Sequence, residues 1–253
     1  MNFANLDLET ALTACTASAD VYSAWTIEYA RTATRVVIKP QGPWTVVAFQ
    51  GTRDLQGALA DVHCRRVYAG AYLGIHAIGN DEMVHSGFAE GVVQTYLQIL
   101  RAIPADGRPL LLTGHSKGGA EAELFARMLY ENSIPFLLVT FGAPRAGNAA
   151  WSAACQEKFG AKSYGFVCEL DAVPRMPGYL VGWRHFGHRI YLEEGGPMID
   201  PPPCVLFLED LYAIWTHHGI SLRNWALGLL AEPLRDHHIK DHYLAHLAAL
   251  KNL

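Results

Sequence analysis

Hydrophobic and polar positions follow two periods along this chain, and together they predict strands and helices in alternation. Short runs rich in β-branched and apolar residues predict buried strands, whereas apolar positions that recur every three to four residues predict amphipathic helices. Strands that alternate with helices are typical of an α/β protein with a mostly parallel central sheet. The predicted strands are 34–39, 44–49, 110–112, 134–141, 163–167 and 185–192, and the predicted helices are 7–24, 88–103, 120–126, 151–159 and a segment after 235.

Turn and cap residues refine the ends of these elements. The breaker-rich stretch 40–43 predicts a hairpin between the first two strands. Ser86 and Asp236 precede helical patterns and are residue types that commonly accept a hydrogen bond from the first turn of a helix. We therefore expect both to be N-caps.

The strand at 110–112 leads into a Gly-x-Ser-x-Gly motif formed by Gly114, Ser116 and Gly118, and a helical pattern follows. A sharp turn between strand and helix lifts a serine hydroxyl above the end of the sheet, where it can act as a nucleophile. The flanking positions have to be small because the strand and the helix pass close together. The alternative is a glycine-rich turn in which Ser116 only caps the helix, and the strand and helix around the motif favour the nucleophile.

Two further polar residues follow strands of the same predicted sheet. Thr52 lies just beyond 44–49, and Asp171 lies just beyond 163–167. Open α/β sheets bind ligands outside the carboxyl ends of their strands, so parallel strands would place both residues near Ser116. A threonine here can offer donors to a developing oxyanion, although a simple turn at Thr52 explains the residue equally well.

The order of the motifs resembles the class 3 (fungal-type) lipases of the α/β-hydrolase superfamily, particularly their bacterial relatives. The resemblance covers about residues 30 to 195 and a C-terminal segment rich in histidine. The motifs that carry it are VAFQGT at 47–52, VHSGF at 84–88, GHSKGG at 114–119, VTFGAPRAGN at 139–148 and DAVPRMP at 171–177.

The resemblance implies an α/β-hydrolase fold and a catalytic triad that needs neither a metal nor an organic cofactor. Ser116 matches the nucleophile and Asp171 matches the triad acid. Thr52 and the backbone N–H of Lys117 match the two oxyanion donors, and the family's flap falls at 54–61. Many relatives have an apolar residue at position 117, but the oxyanion hole uses only its backbone.

The third member of the triad is the least determined by the sequence. The family's catalytic histidine lies near the C-terminus, often after an aspartate and before a helix that carries a tyrosine. His237 is the first choice because it follows Asp236, and His238 and His242 are the alternatives. Other histidines are interpreted as structural or solvated: His85, His115, His185, His217 and His218.

These residues predict a serine carboxylester hydrolase that cleaves acylglycerols or related fatty-acid esters through an acyl-enzyme. A phospholipase A-type activity is the nearest alternative, and acyl transfer to an alcohol would use the same groups. A non-catalytic lipid-binding protein on the same scaffold is the alternative from another class, since a fold does not fix a function.

Composition and charge set the remaining expectations. The chain has 253 residues, of which 51% are hydrophobic, and this predicts one domain over 1–253. The net charge of −4 gives no indication of a nucleic-acid partner. The apolar segment 204–230 either packs on this domain or forms a helical cap over a substrate channel. No apolar run is long enough for a transmembrane segment.

Cysteines and the N-terminus bear on the compartment. The five cysteines are scattered, without zinc-type spacing or a disulfide framework. The first residues lack the basic and apolar regions of a signal peptide, so a cytoplasmic location is the default expectation, with secretion left open.

Overall fold

The computed structural model describes residues 2–52, 65–75, 79, 81–168, 171–193, 196–202 and 237–252. The expected flap at 54–61, the segment 204–230 and Asp236 lie outside these ranges. The expected cap at Asp236 is wrong, because the C-terminal helical segment begins at Ile239 and its N-cap is His238. Among the residues described, no helix has the length and apolar character needed to cross a membrane.

A central sheet organises the part of the chain that the structure describes. The strands there are β1 Asn2–Phe3, β2 Leu6–Asp7, β3 Ile27–Tyr29, β4 Thr34–Gln41, β5 Trp44–Phe49, β6 Arg66–Tyr68, β7 Met83–His85, β8 Leu110–His115, β9 Phe136–Phe141, β10 Gly147–Asn148, β11 Ser163–Cys168, β12 Trp183–Arg184, β13 His188–Leu192 and β14 Met198–Ile199. Eight of them form the central sheet, in the order β14-β13-β11-β9-β8-β5-β4-β3, and a smaller sheet has the order β12-β10-β7-β6.

The middle of this sheet is parallel, from β5 through β8, β9 and β11 to β13. The outer pairs are antiparallel, including the predicted hairpin of β4 and β5. In this register Phe49 pairs with Gly114, and His115 pairs with Phe141. The carboxyl ends of β5, β8, β9 and β11 therefore meet at one edge of the sheet, as the sequence predicts for an α/β-hydrolase fold.

Helices cover both faces of the sheet and enclose two buried hydrophobic clusters. The α-helices of the described residues are α1 Leu8–Asp20, α2 Ala69–Leu73, α3 Ser86–Ala102, α4 Lys117–Glu131, α5 Ala149–Phe159 and α6 Ala245–Ala249. One cluster joins the sheet to α3, α4 and α5, and the other joins it to α1 and the C-terminal helical segment. The C-terminal segment consists of a π-helix Ile239–Leu244, then α6, then a 3₁₀ turn Leu250–Asn252, and other 3₁₀ turns lie at Ala30–Thr32, Gly160–Lys162, Val173–Arg175 and Tyr179–Val181.

The predicted cap of α3 is wrong. The helix already begins at Ser86, and its N-cap is His85, whose Nδ1 accepts a hydrogen bond from the Gly87 N–H at 3.2 Å. The His85 ring is buried and stacks on Phe88 at a centroid distance of 4.2 Å. Burial lowers the pKa of His85 to about 4, so the ring stays neutral and keeps Nδ1 available as an acceptor.

Candidate active site

Ser116 occupies a strained turn between β8 and α4. Its backbone has φ 57° and ψ −133°, a conformation that a residue with a side chain rarely adopts. The two motif glycines make the turn possible. A Cβ on Gly114 would lie 2.2 Å from the Gly118 carbonyl oxygen, and a Cβ on Gly118 would lie 2.2 Å from the Phe49 carbonyl oxygen. The turn therefore has the geometry expected of a nucleophile elbow and leaves no space for side chains on either flank.

The end of β5 passes directly beside this turn. A Cβ on Gly51 would lie 3.0 Å from Ser116 Cβ, 2.6 Å from the His115 carbonyl oxygen and 2.3 Å from the Tyr22 hydroxyl. Thr52 is the next residue and is half-buried. The sheet thus places Gly51 against Ser116, the expected nucleophile. Thr52, the expected oxyanion residue, directly follows Gly51 in the chain.

Asp171 and His237 form the central pair of the site, although 66 positions separate them in the chain. Asp171 is fully buried, and its Oδ2 lies 2.7 Å from Nδ1 of His237. Its Oδ1 accepts a second hydrogen bond from the Val173 N–H at 2.9 Å. A carboxylate at Nδ1 favours the tautomer whose proton is on Nδ1, which leaves Nε2 as the basic nitrogen.

The Nε2 atom of His237 is buried, and no hydrogen-bond partner for it exists among the described residues. Nε2 of His85 and Nδ1 of His185 are buried and lack a partner among the described residues as well, so the feature that distinguishes His237 is the carboxylate at its other ring nitrogen. In unliganded enzymes, the bond between a base and its nucleophile is often long and shortens in the substrate complex. The orphaned nitrogen is therefore the position from which a base would act.

Tyr243 is a third partner of Asp171, and the sequence alone assigns it no role. Its hydroxyl donates to Oδ2 of Asp171, and the residue is fully buried. Burial, followed by the charge and hydrogen bond of Asp171, raises the pKa of Tyr243 well above its usual value, so the hydroxyl remains a donor. The available signal was a tyrosine in the helix that follows the candidate histidines.

Gly142 closes the site from the end of β9. It has φ 56°, and a Cβ there would lie 2.9 Å from Asp171 Oδ2, His237 Cε1 and the Tyr243 hydroxyl alike. The Gly142 N–H also donates to the Phe166 carbonyl at 2.9 Å. Any side chain at this position would displace the acid and its two partners.

His115 packs against His237 and bonds to its backbone. The two rings lie 4.4 Å apart, and Nε2 of His115 donates to the His237 carbonyl oxygen at 2.6 Å. Its Nδ1 is 3.0 Å from the Tyr22 hydroxyl, which donates to it. Burial and the neighbouring His237 lower the pKa of His115 well below its usual value, so the ring is neutral. This agrees with the interpretation of His115 as a structural residue.

The other candidate histidines lie elsewhere. The His238 side chain is 72% exposed and faces Asp241 at 3.4 Å. His242 is half-buried, and one of its ring nitrogens lies within 4.8 Å of the Cys168 Sγ atom. His185 is bonded through Nε2 to the Pro174 carbonyl oxygen at 2.6 Å. Of the three candidate bases, His237 is the one that the structure brings to Asp171.

Lys117 begins α4, and its side chain turns inward. Its Nζ contacts the carboxylate of Glu121 and lies 3.3 Å from the Thr34 hydroxyl, which itself donates to Glu121 at 2.5 Å. Glu121 is fully buried, and burial raises its pKa while Lys117 opposes that shift. The first N–H groups of a helix have no acceptor within the helix, so the Lys117 amide is available at the positive end of α4.

Comparison with known proteins identifies the family. The sequence model of the family described as lipase (class 3) matches residues 46–181 of this chain. The Fusarium solani protein "Secreted mono- and diacylglycerol lipase 1" is 36% identical over 120 residues, which are 46% of this chain and 35% of that protein. A rice (Oryza sativa subsp. indica) protein named "Phospholipase A1 EG1, chloroplastic/mitochondrial" is 36% identical over 87 residues, 29% of this chain and 20% of that protein. The chain thus spans about a third or less of the length of these curated relatives.

A solved structure supports the fold independently. The lipase of Rhizopus microsporus var. chinensis superposes with a TM-score of 0.63 at 22% identity and covers 76% of each chain. At this identity the likeness is one of fold, and it agrees with the α/β-hydrolase architecture. Since the family model spans more than half of the residues, this protein belongs to the class 3 lipase family.

Proposed function

We propose that this protein is a serine carboxylester hydrolase that cleaves acylglycerols or related fatty-acid esters. His237 Nε2 takes the proton of the Ser116 hydroxyl as Oγ attacks the ester carbonyl carbon. Thr52 and the Lys117 N–H hold the resulting oxyanion. The intermediate collapses to an acyl-enzyme, and the leaving alcohol takes the proton from His237. Water then attacks the acyl carbon with His237 as base, which releases the fatty acid and restores Ser116.

The observation that carries this proposal is the contact between Asp171 and His237. A buried carboxylate 2.7 Å from Nδ1, together with a buried Nε2 that lacks a partner, is the arrangement of an oriented general base. The strained backbone of Ser116, at the end of β8, supports the same reading. A non-catalytic lipid-binding protein would have no need of a buried carboxylate that orients an imidazole.

The names of the relatives guide the choice of substrate. The Fusarium protein is named a mono- and diacylglycerol lipase, which favours acylglycerols, and the rice protein is named a phospholipase A1, which favours phospholipid acyl esters as the second candidate. Both reactions need the same triad and oxyanion donors. They differ in the group next to the scissile ester, so a matched set of a diacylglycerol and a phosphatidylcholine with equal acyl chains separates them.

The test is hydrolysis of p-nitrophenyl esters of increasing acyl length by the wild type and by Ser116→Ala. We expect the variant to lose at least about 10⁴-fold in kcat/KM. Labelling of the wild type by a fluorophosphonate, with none of Ser116→Ala, identifies the nucleophile independently of substrate choice. Folded wild-type protein that neither hydrolyses any ester nor reacts with the probe would favour the lipid-binding alternative.

Three single variants test the base. His237→Ala is expected to lose activity to a similar extent as Ser116→Ala, because the two residues act as a unit. His238→Ala is the matched control on the neighbouring residue and should retain activity, as should His242→Ala. If His237→Ala keeps full activity while one of the others loses it, the assignment of the base is wrong.

We also propose that the protein contacts lipid interfaces. Val181 and Tyr68 are 61% and 58% exposed, and Arg66 in β6 donates to the Val181 carbonyl, which joins the two regions. Val181→Asp should lower activity on emulsified ester more than on dissolved ester, while Leu97→Asp, at a site 60% exposed on α3, should affect neither. Equal effects of both variants would refute this.

The Fusarium relative is named a secreted protein, so we propose secretion as the alternative to a cytoplasmic location. Immunoblotting of medium and cell fractions decides between the two.

A further inference from the structure

A cluster of metal-ligating side chains lies next to the triad and takes no part in the proposed hydrolysis. The Sγ atom of Cys168 and one ring nitrogen each of His242 and His246 all lie within 4.8 Å of one another. Cys168 is buried, and both histidines are half-buried. We propose that these three residues form a binding site for a transition-metal ion, with Zn²⁺ as the preferred ion.

The fold brings the three residues together from distant parts of the sequence. Cys168 is the last residue of β11, whereas His242 and His246 lie on the C-terminal helical segment. The two histidines are four positions apart, so they share one face of the helical segment. Sequence spacing alone did not indicate zinc because the cysteine precedes the first histidine by more than 70 positions, well beyond the short ligand spacings typical of zinc motifs.

The donor set selects the class of ion. A thiolate and two imidazoles suit zinc and other borderline-soft ions, whereas calcium and magnesium require oxygen ligands. In a tetrahedral zinc site, the ligand atoms lie roughly 3.3–3.7 Å apart, as follows from the metal–ligand bond lengths. Each pair here would have to close by no more than about 1.5 Å, which small rotations of half-buried side chains can supply. Three protein ligands leave a fourth position for water.

The position of the site indicates its effect. The Cys168 carbonyl accepts a hydrogen bond from the Asp171 N–H at 2.9 Å, which ties the cysteine to the loop of the triad acid. On the other side, His242 and His246 flank Tyr243, which donates to Asp171. The same helical segment begins two residues after His237. A bound ion would therefore cross-link the strand that delivers the acid to the helix that follows the base, and its binding free energy would add to the stability of the fold.

Metal titration of untagged protein tests the proposal without reference to ester hydrolysis. The probes are Zn²⁺, followed by calorimetry and thermal unfolding, and Co²⁺, whose thiolate complex gives a charge-transfer absorption band. We expect one ion per chain, and a rise in Tm of roughly 5 °C at a zinc concentration about 100-fold above Kd. Cys168→Ser should abolish the cobalt–thiolate band, and His246→Ala should weaken zinc binding by about 100-fold or more.

Two matched controls separate this site from adventitious binding. Cys155→Ser changes another buried thiol, which lies on α5 in the other hydrophobic cluster. His238→Ala changes an exposed histidine just before the same helical segment. Both variants should bind zinc like the wild type. Each protein is checked for folding by circular dichroism, and if Cys168→Ser does not fold, the half-buried His246→Ala decides the question.

The proposal is overturned if wild type and His246→Ala bind zinc with equal affinity. It is also overturned if the cobalt complex of the wild type lacks the thiolate band. Weak binding at several sites, unaffected by Cys168→Ser, would mean surface histidine chelation only and would equally reject the site.

Discussion

Glu123 is buried inside α4 and should make the stability of this protein fall as the pH rises. Its side chain is 4% exposed, and burial raises the pKa of its carboxyl group to about 8 from an ordinary value of 4.5, against an opposing effect of Arg189. At neutral pH the folded protein therefore holds a proton that the unfolded chain has released. The substitution Glu123→Gln keeps the shape of the side chain and removes the titration.

The sign and the size of the effect follow from linkage. Below pH 4.5 the carboxyl is protonated in both states, and between pH 4.5 and 8 only the folded state keeps the proton, so the wild type loses stability across this window. Each unit of pKa difference corresponds to about 1.4 kcal/mol, so the loss amounts to about 5 kcal/mol at most by pH 8. Glu123→Gln should therefore gain stability relative to the wild type as the pH rises.

Urea unfolding followed by tryptophan fluorescence at pH 5, 6, 7 and 8 measures this difference. Glu157→Gln, at an exposed position on α5, is the matched control, and its difference from the wild type should stay nearly constant. A constant difference between the wild type and Glu123→Gln from pH 5 to pH 8 would show that the carboxyl is ionised in the folded protein. That result would refute the argument from burial.

Three further substitutions test contacts around the site. Tyr243→Phe removes one of the donors to Asp171 and should lower kcat for ester hydrolysis about 10-fold, the effect of about 1.4 kcal/mol, with an unchanged circular dichroism spectrum; an unaltered kcat would rule out a role for this hydroxyl in holding the acid. Gly118→Ala places a Cβ 2.2 Å from a strand carbonyl and should destabilise the fold by about 3 kcal/mol in urea, so wild-type stability would contradict the close approach. Lys117→Met leaves the buried Glu121 without its cation and should cost about 3 kcal/mol in urea. A second change, Glu121→Gln, should restore most of this loss, and no gain in the double variant would mean that the pair is not coupled.

The parts of the fold that depend on local pattern could be predicted from the sequence. The run Leu110–His115 and the helix after it gave the position of the elbow, because the period of apolar residues changes there from that of a strand to that of a helix. The central parallel sheet followed from apolar strands that alternate with helices. The small sheet was not predicted, since strands such as Gly147–Asn148 are too short to show a period.

The parts that depend on tertiary contacts could not be predicted. His237 and His242 each follow an aspartate, so nothing local distinguishes them, and the distinction rests on a contact with Asp171 across the fold. The cap of α3 also depends on burial, because His85 can accept the hydrogen bond only as a neutral ring. The expected roles of Thr52 and Lys117 as oxyanion donors remain predictions.

The glycines around Ser116 have a consequence for mutational tolerance. Gly51, Gly114 and Gly118 are excluded from substitution by backbone contacts, and these contacts exist whether or not the serine reacts. In a library built on Ser116→Ala and selected only for folded protein, we expect these three positions to stay glycine. A descendant of this chain that no longer reacts would therefore still carry the glycines of the motif, and the residue at position 116 would show whether the nucleophile persists.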